Sequence, residues 1–308
     1  RGRMKIAVMG TGGMGGYYGG LLAAVGEDVS FIARGEHLNA LKSDGLLLKG
    51  DGEEIHLKPI MATEQPSEIG EVDVVLFCVK LYDTESAGEL IKPLLCKNTM
   101  VISVLNGVDG PERLEKIIGP GHVIGGAAYA SAVIEKPGVI KYKSTGGRLK
   151  IGELDGKVSD RIKAFRKACK TTDFECEITE NIVGALWDKY ILLATNSGLS
   201  CLCRSPVGKI YNDVDLVEVA VALMEETRSL ALKQKIAIDP DVIKNSLNWS
   251  KSLPPDLFAS MYYDMSAGKR MELEGMSGYI KRLGKELGIN TPYHSSVYAG
   301  LKFFKDGR

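Results

Sequence analysis

Net charge is the first thing this chain lacks. Thirty-nine Lys plus Arg offset thirty-nine Asp plus Glu over 308 residues, so no bulk field draws it to nucleic acid or to an anionic membrane, and neither is expected as a partner. Metal-binding patterns are lacking too. Cys78, Cys96, Cys169, Cys176, Cys201 and Cys203 form no CxxC pair, and no His stands at zinc-finger spacing, so no metal site is expected. The longest apolar stretch, Tyr190 to Cys203, is interrupted by Asn196 and Ser197 and is too short to span a bilayer. It reads as a buried helix. No secretory signal precedes the first apolar run, so the cysteines read as reduced thiols of a cytoplasmic protein.

What the chain has in excess is glycine, 36 of 308 or about 12%, against an average near 7%. Seven of these lie between Gly10 and Gly20. Lys5 to Met9 is a short apolar run, the glycine-dense stretch follows, and Leu21 to Val25 has helical composition, which reads as strand, turn, helix. Asp28 to Ala33, Val72 to Val79 and Thr99 to Leu105 give three more strands, with helical segments near 36 to 43, 84 to 94 and 111 to 118. Such alternation is the pattern of a doubly wound parallel sheet, and the β-rich pieces between Ala127 and Lys150 are expected to be its further strands.

From about Asn181 the texture becomes helical, over 181 to 203, 213 to 235, 256 to 266 and 271 to 287. The expected division is therefore 1–178 for an α/β domain and 179–308 for an all-helical one. Ligands of such two-domain proteins favour the cleft at the carboxyl ends of the strands.

Gly10-Thr11-Gly12-Gly13-Met14-Gly15 fits G-x-G-x-x-G in the required context, directly after a strand and before a helix. The first glycine permits the turn, the second lets backbone approach a pyrophosphate, and the third lets helix and strand pack closely. Cofactor choice falls to the end of the second strand, where an acid would bond the ribose 2′-hydroxyl. Arg34 stands there. A guanidinium can grip a 2′-phosphate that a carboxylate would repel, which points to NADP(H); the alternative is an ordinary surface cation. Glu36 is expected to face solvent.

Lys80 and Asn106 close the third and fourth strands, where this fold puts ligand contacts; the alternative is that they merely cap strands. Lys189 sits inside the apolar stretch Leu186-Trp187-Asp188-Lys189-Tyr190-Ile191. Burying an ammonium costs several kcal/mol unless it is paired or its pKa falls, and a lowered pKa is how a general acid near neutrality is made. The alternative is a lysine whose stem lies on apolar surface with its charge in water. Asp188 is expected to be exposed or locally paired. Among the carboxylates of Glu272-Leu273-Glu274, composition does not single one out.

Together these residues resemble the ketopantoate reductase family, from Met4 to about Pro292. The resemblance rests on the Gly10 to Gly15 loop, Arg34, Val79-Lys80, Asn106-Gly107, Trp187-Asp188-Lys189, Ser260, and Glu272 ahead of Gly278. It implies a Rossmann-type domain joined to a helical domain like that of the 6-phosphogluconate dehydrogenase superfamily, and NADPH-dependent reduction of 2-dehydropantoate to pantoate on the route to pantothenate and coenzyme A. By that likeness Lys189 is the general acid, Glu272 bonds substrate or lysine, Ser260 holds the substrate carboxylate, and Asn106 and Lys80 lie near nicotinamide and substrate. Two places depart from the family, which commonly has asparagines four and eight residues after its lysine. Leu193 and Ser197 stand there, with Ser197 kept as a substrate contact and Asn196 turned about 100° away round the helix. The departures leave room for another 2-keto or 3-keto acid, and a non-catalytic NADP-sensing protein is the reading from a different class. The apolar C-terminal helices offer a surface for a homodimer.

Overall fold

The structure, a computed structural model, describes residues 2–144 and 146–308. Its elements run in the order β1 (Lys5–Met9), α1 (Gly13–Ala24), β2 (Asp28–Ile32), α2 (Gly35–Asp44), β3 (Leu46–Lys49), β4 (Glu54–Leu57), β5 (Met61–Thr63), β6 (Val74–Phe77), α3 (Thr84–Leu90), β7 (Met100–Ser103), α4 (Gly110–Ile118), β8 (Val123–Tyr129), β9 (Ala132–Lys136), β10 (Val139–Tyr142), β11 (Arg148–Glu153), α5 (Asp160–Ala168) and β12 (Glu175–Ile178). Helices follow: α6 (Ile182–Cys203), α7 (Val207–Tyr211), α8 (Val214–Lys233), α9 (Val242–Ser252), α10 (Ser260–Ser266), α11 (Ser277–Leu287) and α12 (Pro292–Leu301). The chain divides into two compact units, the first ending at Ile182 and the second being Val183–Arg308.

In the first unit an eight-stranded sheet has the order β12-β11-β8-β7-β6-β1-β2-β5. The strands from β8 to β5 pair in parallel. Their apolar runs are buried on both faces, as parallel strands require. β11 pairs antiparallel with β8, and β12 parallel with β11. The sheet is therefore mixed at one end rather than parallel throughout.

The stretch from Ala127 to Lys150 divides, which the sequence reading did not foresee. β8 and β11 join the large sheet, whereas β9 and β10 form a second, four-stranded sheet with β3 and β4 in the order β4-β3-β10-β9. Val139 to Lys141 pair in parallel with Leu47 to Lys49, so strands about ninety residues apart meet. Period-two alternation tells that a segment is a strand, not which sheet it enters.

α1 lies between the two sheets, and its glycines are what allow it to. A methyl group on Gly16 or Gly20 would come within 2.7 Å of Ile140 or 2.8 Å of Leu48, on the side of the second sheet. On Gly15 or Gly19 it would meet Gly10 O at 2.2 Å or Val8 at 2.5 Å, on the side of the first. Small residues on two faces let one helix serve two apolar surfaces, and Tyr17, Tyr18, Leu21 and Leu22 fill the space between them.

The second unit is built on α6. Asp213 caps α8 by accepting the Leu216 amide at 2.9 Å. α11 ends at Gly288, whose φ of 70° lies in the left-handed region that favours glycine. Two segments differ from the sequence reading. The helix expected from 256 starts only at Ser260, after Pro254-Pro255, and the one expected over 271 to 287 is broken into a 3-10 turn at Leu273–Gly275 and α11. α9 and α12 lie outside the ranges read from the sequence.

Candidate active site

In the first unit β1 delivers the chain into Gly10, whose φ of 88° and close approach to the Cys78 carbonyl suit glycine alone. Thr11 fixes the turn: its amide and its hydroxyl both donate to Ile32 O, at 3.1 and 2.9 Å. That hydroxyl is thereby spent on tying the loop to the end of β2. Gly12 then opens α1 with no side chain capping it. A Cβ on Gly12 would meet nothing within 4 Å, whereas one on Gly13 would strike Ala132 O at 2.2 Å. Met14 packs on the core. An uncapped helix N-terminus with open space at its first residue is what a pyrophosphate needs: free N–H donors and room for close approach. The loop therefore fits a dinucleotide.

Arg34 follows β2 and is 80% exposed, its guanidinium 3.6 Å from the Asp83 carboxylate. A pair so open to water is worth at most about 1 kcal/mol, so Arg34 can leave it for a better anion. Glu36 faces solvent, as expected. Lys80 and Asn106 do not close their strands: β6 ends at Phe77 and β7 at Ser103, and each side chain stands three residues beyond. Lys80 is exposed and Asn106 half-buried, with Gly107 turning the chain at φ 91°. Sequence reasoning passed over His37, in the first turn of α2. Its Nδ1 accepts the Gly138 amide at 3.0 Å, and burial lowers its pKa. A lone half-buried histidine on a polar helix gives little warning of such a place.

In the second unit α6 carries Lys189 in its apolar middle. The residue is half-buried, and loss of solvent around the ammonium lowers its pKa to about 8 against the opposing pull of the Glu272 carboxylate. The neighbouring residues fix this arrangement. The Tyr190 hydroxyl lies 2.8 and 3.0 Å from the carbonyls of Gly275 and Met276, anchoring the segment after Glu272 onto α6. Asp188, half-buried, accepts the amide of Asp239 at 3.0 Å and so braces a distant loop.

The structure separates the two glutamates that composition left equal. Glu274 is engaged by Tyr298, by Lys305 at 2.9 Å and by Arg282 at 2.6 Å. Glu272 is 9% exposed and is the carboxylate that acts on Lys189. Ser260 is exposed at the start of α10. Ser197 is buried at 2%, and Leu193 is half-buried one helical turn from Lys189. Asn196 is occupied on both sides of its amide, donating to Ser250 at 3.1 Å and accepting the Tyr211 hydroxyl. Among the described residues no group of three or more His, Cys, Asp or Glu is placed to hold a metal ion, and no helix is long and apolar enough to cross a membrane.

A strand running through a glycine turn into an uncapped helix, followed by a helical unit holding a desolvated lysine beside a buried glutamate, defines an oxidoreductase with a Rossmann-type N-terminal domain. More particularly, the chain belongs to the ketopantoate reductase PanE/ApbA family, whose N-terminal and C-terminal models match residues 6–156 and 181–305. It is 28% identical to the uncharacterized oxidoreductase YkpB of Bacillus subtilis (strain 168), over 98% of this chain and 99% of that protein. It is also 28% identical to the 2-dehydropantoate 2-reductase of Pyrococcus horikoshii, over 97% of each chain. Among solved structures, the PanE/ApbA family ketopantoate reductase of Ralstonia eutropha JMP134 superposes with a TM-score of 0.90 at 30% identity, covering 98% of both chains.

Proposed function

We propose that this protein reduces a 2-keto acid with NADPH, and that 2-dehydropantoate, giving pantoate, is the substrate its family membership favours. In this reading residues 1–178 hold the dinucleotide and 179–308 the keto acid. The carrying observation is Lys189, half-buried in the apolar middle of α6, where burial lowers its pKa to about 8 and the buried Glu272 carboxylate pulls the other way. A cation with that pKa is mostly protonated at neutral pH and gives its proton up readily.

NADPH, when bound, supplies the hydride that adds to C2 of the ketone. Negative charge then develops on the carbonyl oxygen. Lys189 stabilises that charge and delivers its Nζ proton to the oxygen, an interaction strongest in the transition state and so effective on turnover. Glu272 keeps the ammonium charged against desolvation, and hydrogen-bonds the substrate or the lysine. Ser260 takes the substrate carboxylate, with Ser197, Asn106 and Lys80 as further contacts. Gly10 to Gly15 cradle the pyrophosphate, and Arg34 exchanges Asp83 for the 2′-phosphate.

A second reading is favoured by the lysine's own helix face. Leu193 offers a half-buried apolar surface one turn from Lys189, and the Asn196 amide is engaged with Ser250 and Tyr211. A 2-keto acid with a branched apolar side chain suits that face better than a hydroxylated one. NADPH oxidation with ketopantoate, with its analogue lacking the 4-hydroxyl and with a 3-keto acid, compared by kcat/KM, tests both readings. Highest efficiency with ketopantoate supports the first, and with the dehydroxylated acid the second. No oxidation with any 2-keto acid refutes both.

A further inference from the structure

Two thiols of the first unit stand apart from everything described above. Cys169 lies in the 3-10 turn directly after α5 and is 2% exposed; Cys176 is the second residue of β12, the edge strand of the large sheet, and is half-buried. The Cys176 thiol is close enough to act on that of Cys169. Both line one hollow of about 650 Å³, together with Lys163, Arg166, Lys167, Lys170 and Glu175; Asp160 also sets a carboxylate 3.4 Å from the Lys163 ammonium.

The cations are unusual for this chain. It carries no net charge, so four on one hollow are a local concentration rather than a share of a basic surface. Arg166 and Lys167 also suit the negative end of α5, in whose last turn they lie. Lys163, which pairs with Asp160 at 3.4 Å on the exposed side of α5, and Lys170, beyond the helix, do not have that explanation. The loop joining the cysteines is held by the Thr172 hydroxyl, 2.7 Å from Cys169 O and 3.1 Å from Phe174 O. The two sulfurs are thus kept together by a short, ordered connection.

We propose that Cys169 and Cys176 form an intrachain disulfide by exchange with a small anionic disulfide of the glutathione class, which the four cations of the hollow attract. Cys176, the more accessible thiol, attacks first as its thiolate. A new S–S bond forms to one glutathione sulfur, the S–S bond of the reagent breaks, and one glutathione leaves as thiolate. Cys169 then loses its proton to solvent and attacks the Cys176 sulfur, expelling the second glutathione. The two cysteines lose two electrons, and one glutathione disulfide becomes two glutathiones. The neighbouring Cys176 thiol and burial hold the Cys169 thiol well above the ordinary thiol range, so the second step is the slow one.

The test is incubation of the reduced protein with glutathione disulfide, followed by mass spectrometry of the intact chain and its peptides. Expected are a transient glutathione adduct on Cys176, its conversion to a Cys169–Cys176 link with loss of two hydrogens, and reversal by dithiothreitol. Cys169→Ser should stop at the adduct. Lys163→Glu with Lys167→Glu should slow modification of Cys176 by about tenfold with glutathione disulfide and not with cystamine, a cationic disulfide. The proposal is overturned if Cys176 stays unmodified, if Cys78, Cys96 or Cys203 reacts first, or if the charge reversal slows both reagents equally. The unmutated protein alone decides the first two outcomes, so a variant that fails to fold does not shield the proposal.

Discussion

Acidification should weaken the helical unit through one residue, His294. It is fully buried, with Nδ1 2.9 Å from the Ser277 hydroxyl and Nε2 3.0 Å from Leu223 O and 3.1 Å from Thr227 Oγ1. A carbonyl only accepts, so Nε2 carries the proton and Nδ1 accepts from Ser277. Protonating Nδ1 would oblige the Ser277 hydroxyl to turn and accept, and would bury a charge, and desolvation accordingly lowers the pKa from 6.5 to about 4. The unfolded chain binds the proton more readily than the folded one between those values. Stability from this source is therefore complete above pH 6.5 and is lost as pH falls toward 4. At pH 4.5 the loss amounts to roughly 2 to 3 kcal/mol. Glu226, which accepts the Tyr293 and His294 amides, has its pKa raised by burial and acts in the opposite direction. Its effect cancels when the wild type is compared with His294→Gln. The chain's two tryptophans, Trp187 and Trp249, both lie in the second unit, so urea unfolding followed by tryptophan fluorescence reports that unit. Between pH 7 and pH 4.5 the wild type should lose roughly 2 to 3 kcal/mol more than the variant. Parallel pH dependence in the two proteins would refute the assignment.

Three further outcomes follow from the site. Gly12→Ala should leave thermal stability nearly unchanged, because its Cβ meets nothing within 4 Å, while weakening NADPH binding; Gly15→Ala should instead lower the melting temperature, since its Cβ would fall 2.2 Å from Gly10 O. Equal effects of both on folding would contradict the division between a ligand-facing and a packing glycine. Arg34→Asp should cut the preference for NADPH over NADH by about 10- to 100-fold in kcat/KM, the scale of a lost charge-assisted bond; an unchanged ratio would remove Arg34 from the 2′-phosphate. Turnover in the direction of reduction should fall as pH rises through about 8, where Lys189 loses its proton, and a profile flat from pH 7 to pH 10 would argue against a lysine acid.

The parts of this protein legible in its sequence are those that one local signal decides. Lys5 to Met9 reads as a strand because five residues feed directly into glycines, and the structure ends β1 at Met9. The lysine of α6 was legible because a charge within an apolar helix is a conflict that needs a cause. Residues 132 to 142 were not, because a β-rich segment looks the same whether it enters the first sheet or the second, and pairing with Leu47 to Lys49 is a long-range choice. The glycine cluster misled in a different way. It reads as one phosphate cradle, yet Gly16, Gly19 and Gly20 serve packing between two sheets, a second use written in the same residue type. Glu272 and Glu274 differ only in their neighbours, Tyr298, Arg282 and Lys305 on one side and Lys189 on the other, and those neighbours are assembled by folding. α9 escaped notice because its sequence is rich in polar residues.

The most direct test of Lys189 as proton donor is a single-turnover measurement on Lys189→Ala, with NADPH affinity measured in parallel. Hydride transfer to the best 2-keto acid should slow by about 10²- to 10⁴-fold while NADPH binds as it does to the wild type. A variant that binds NADPH and transfers hydride at the wild-type rate would contradict the assignment.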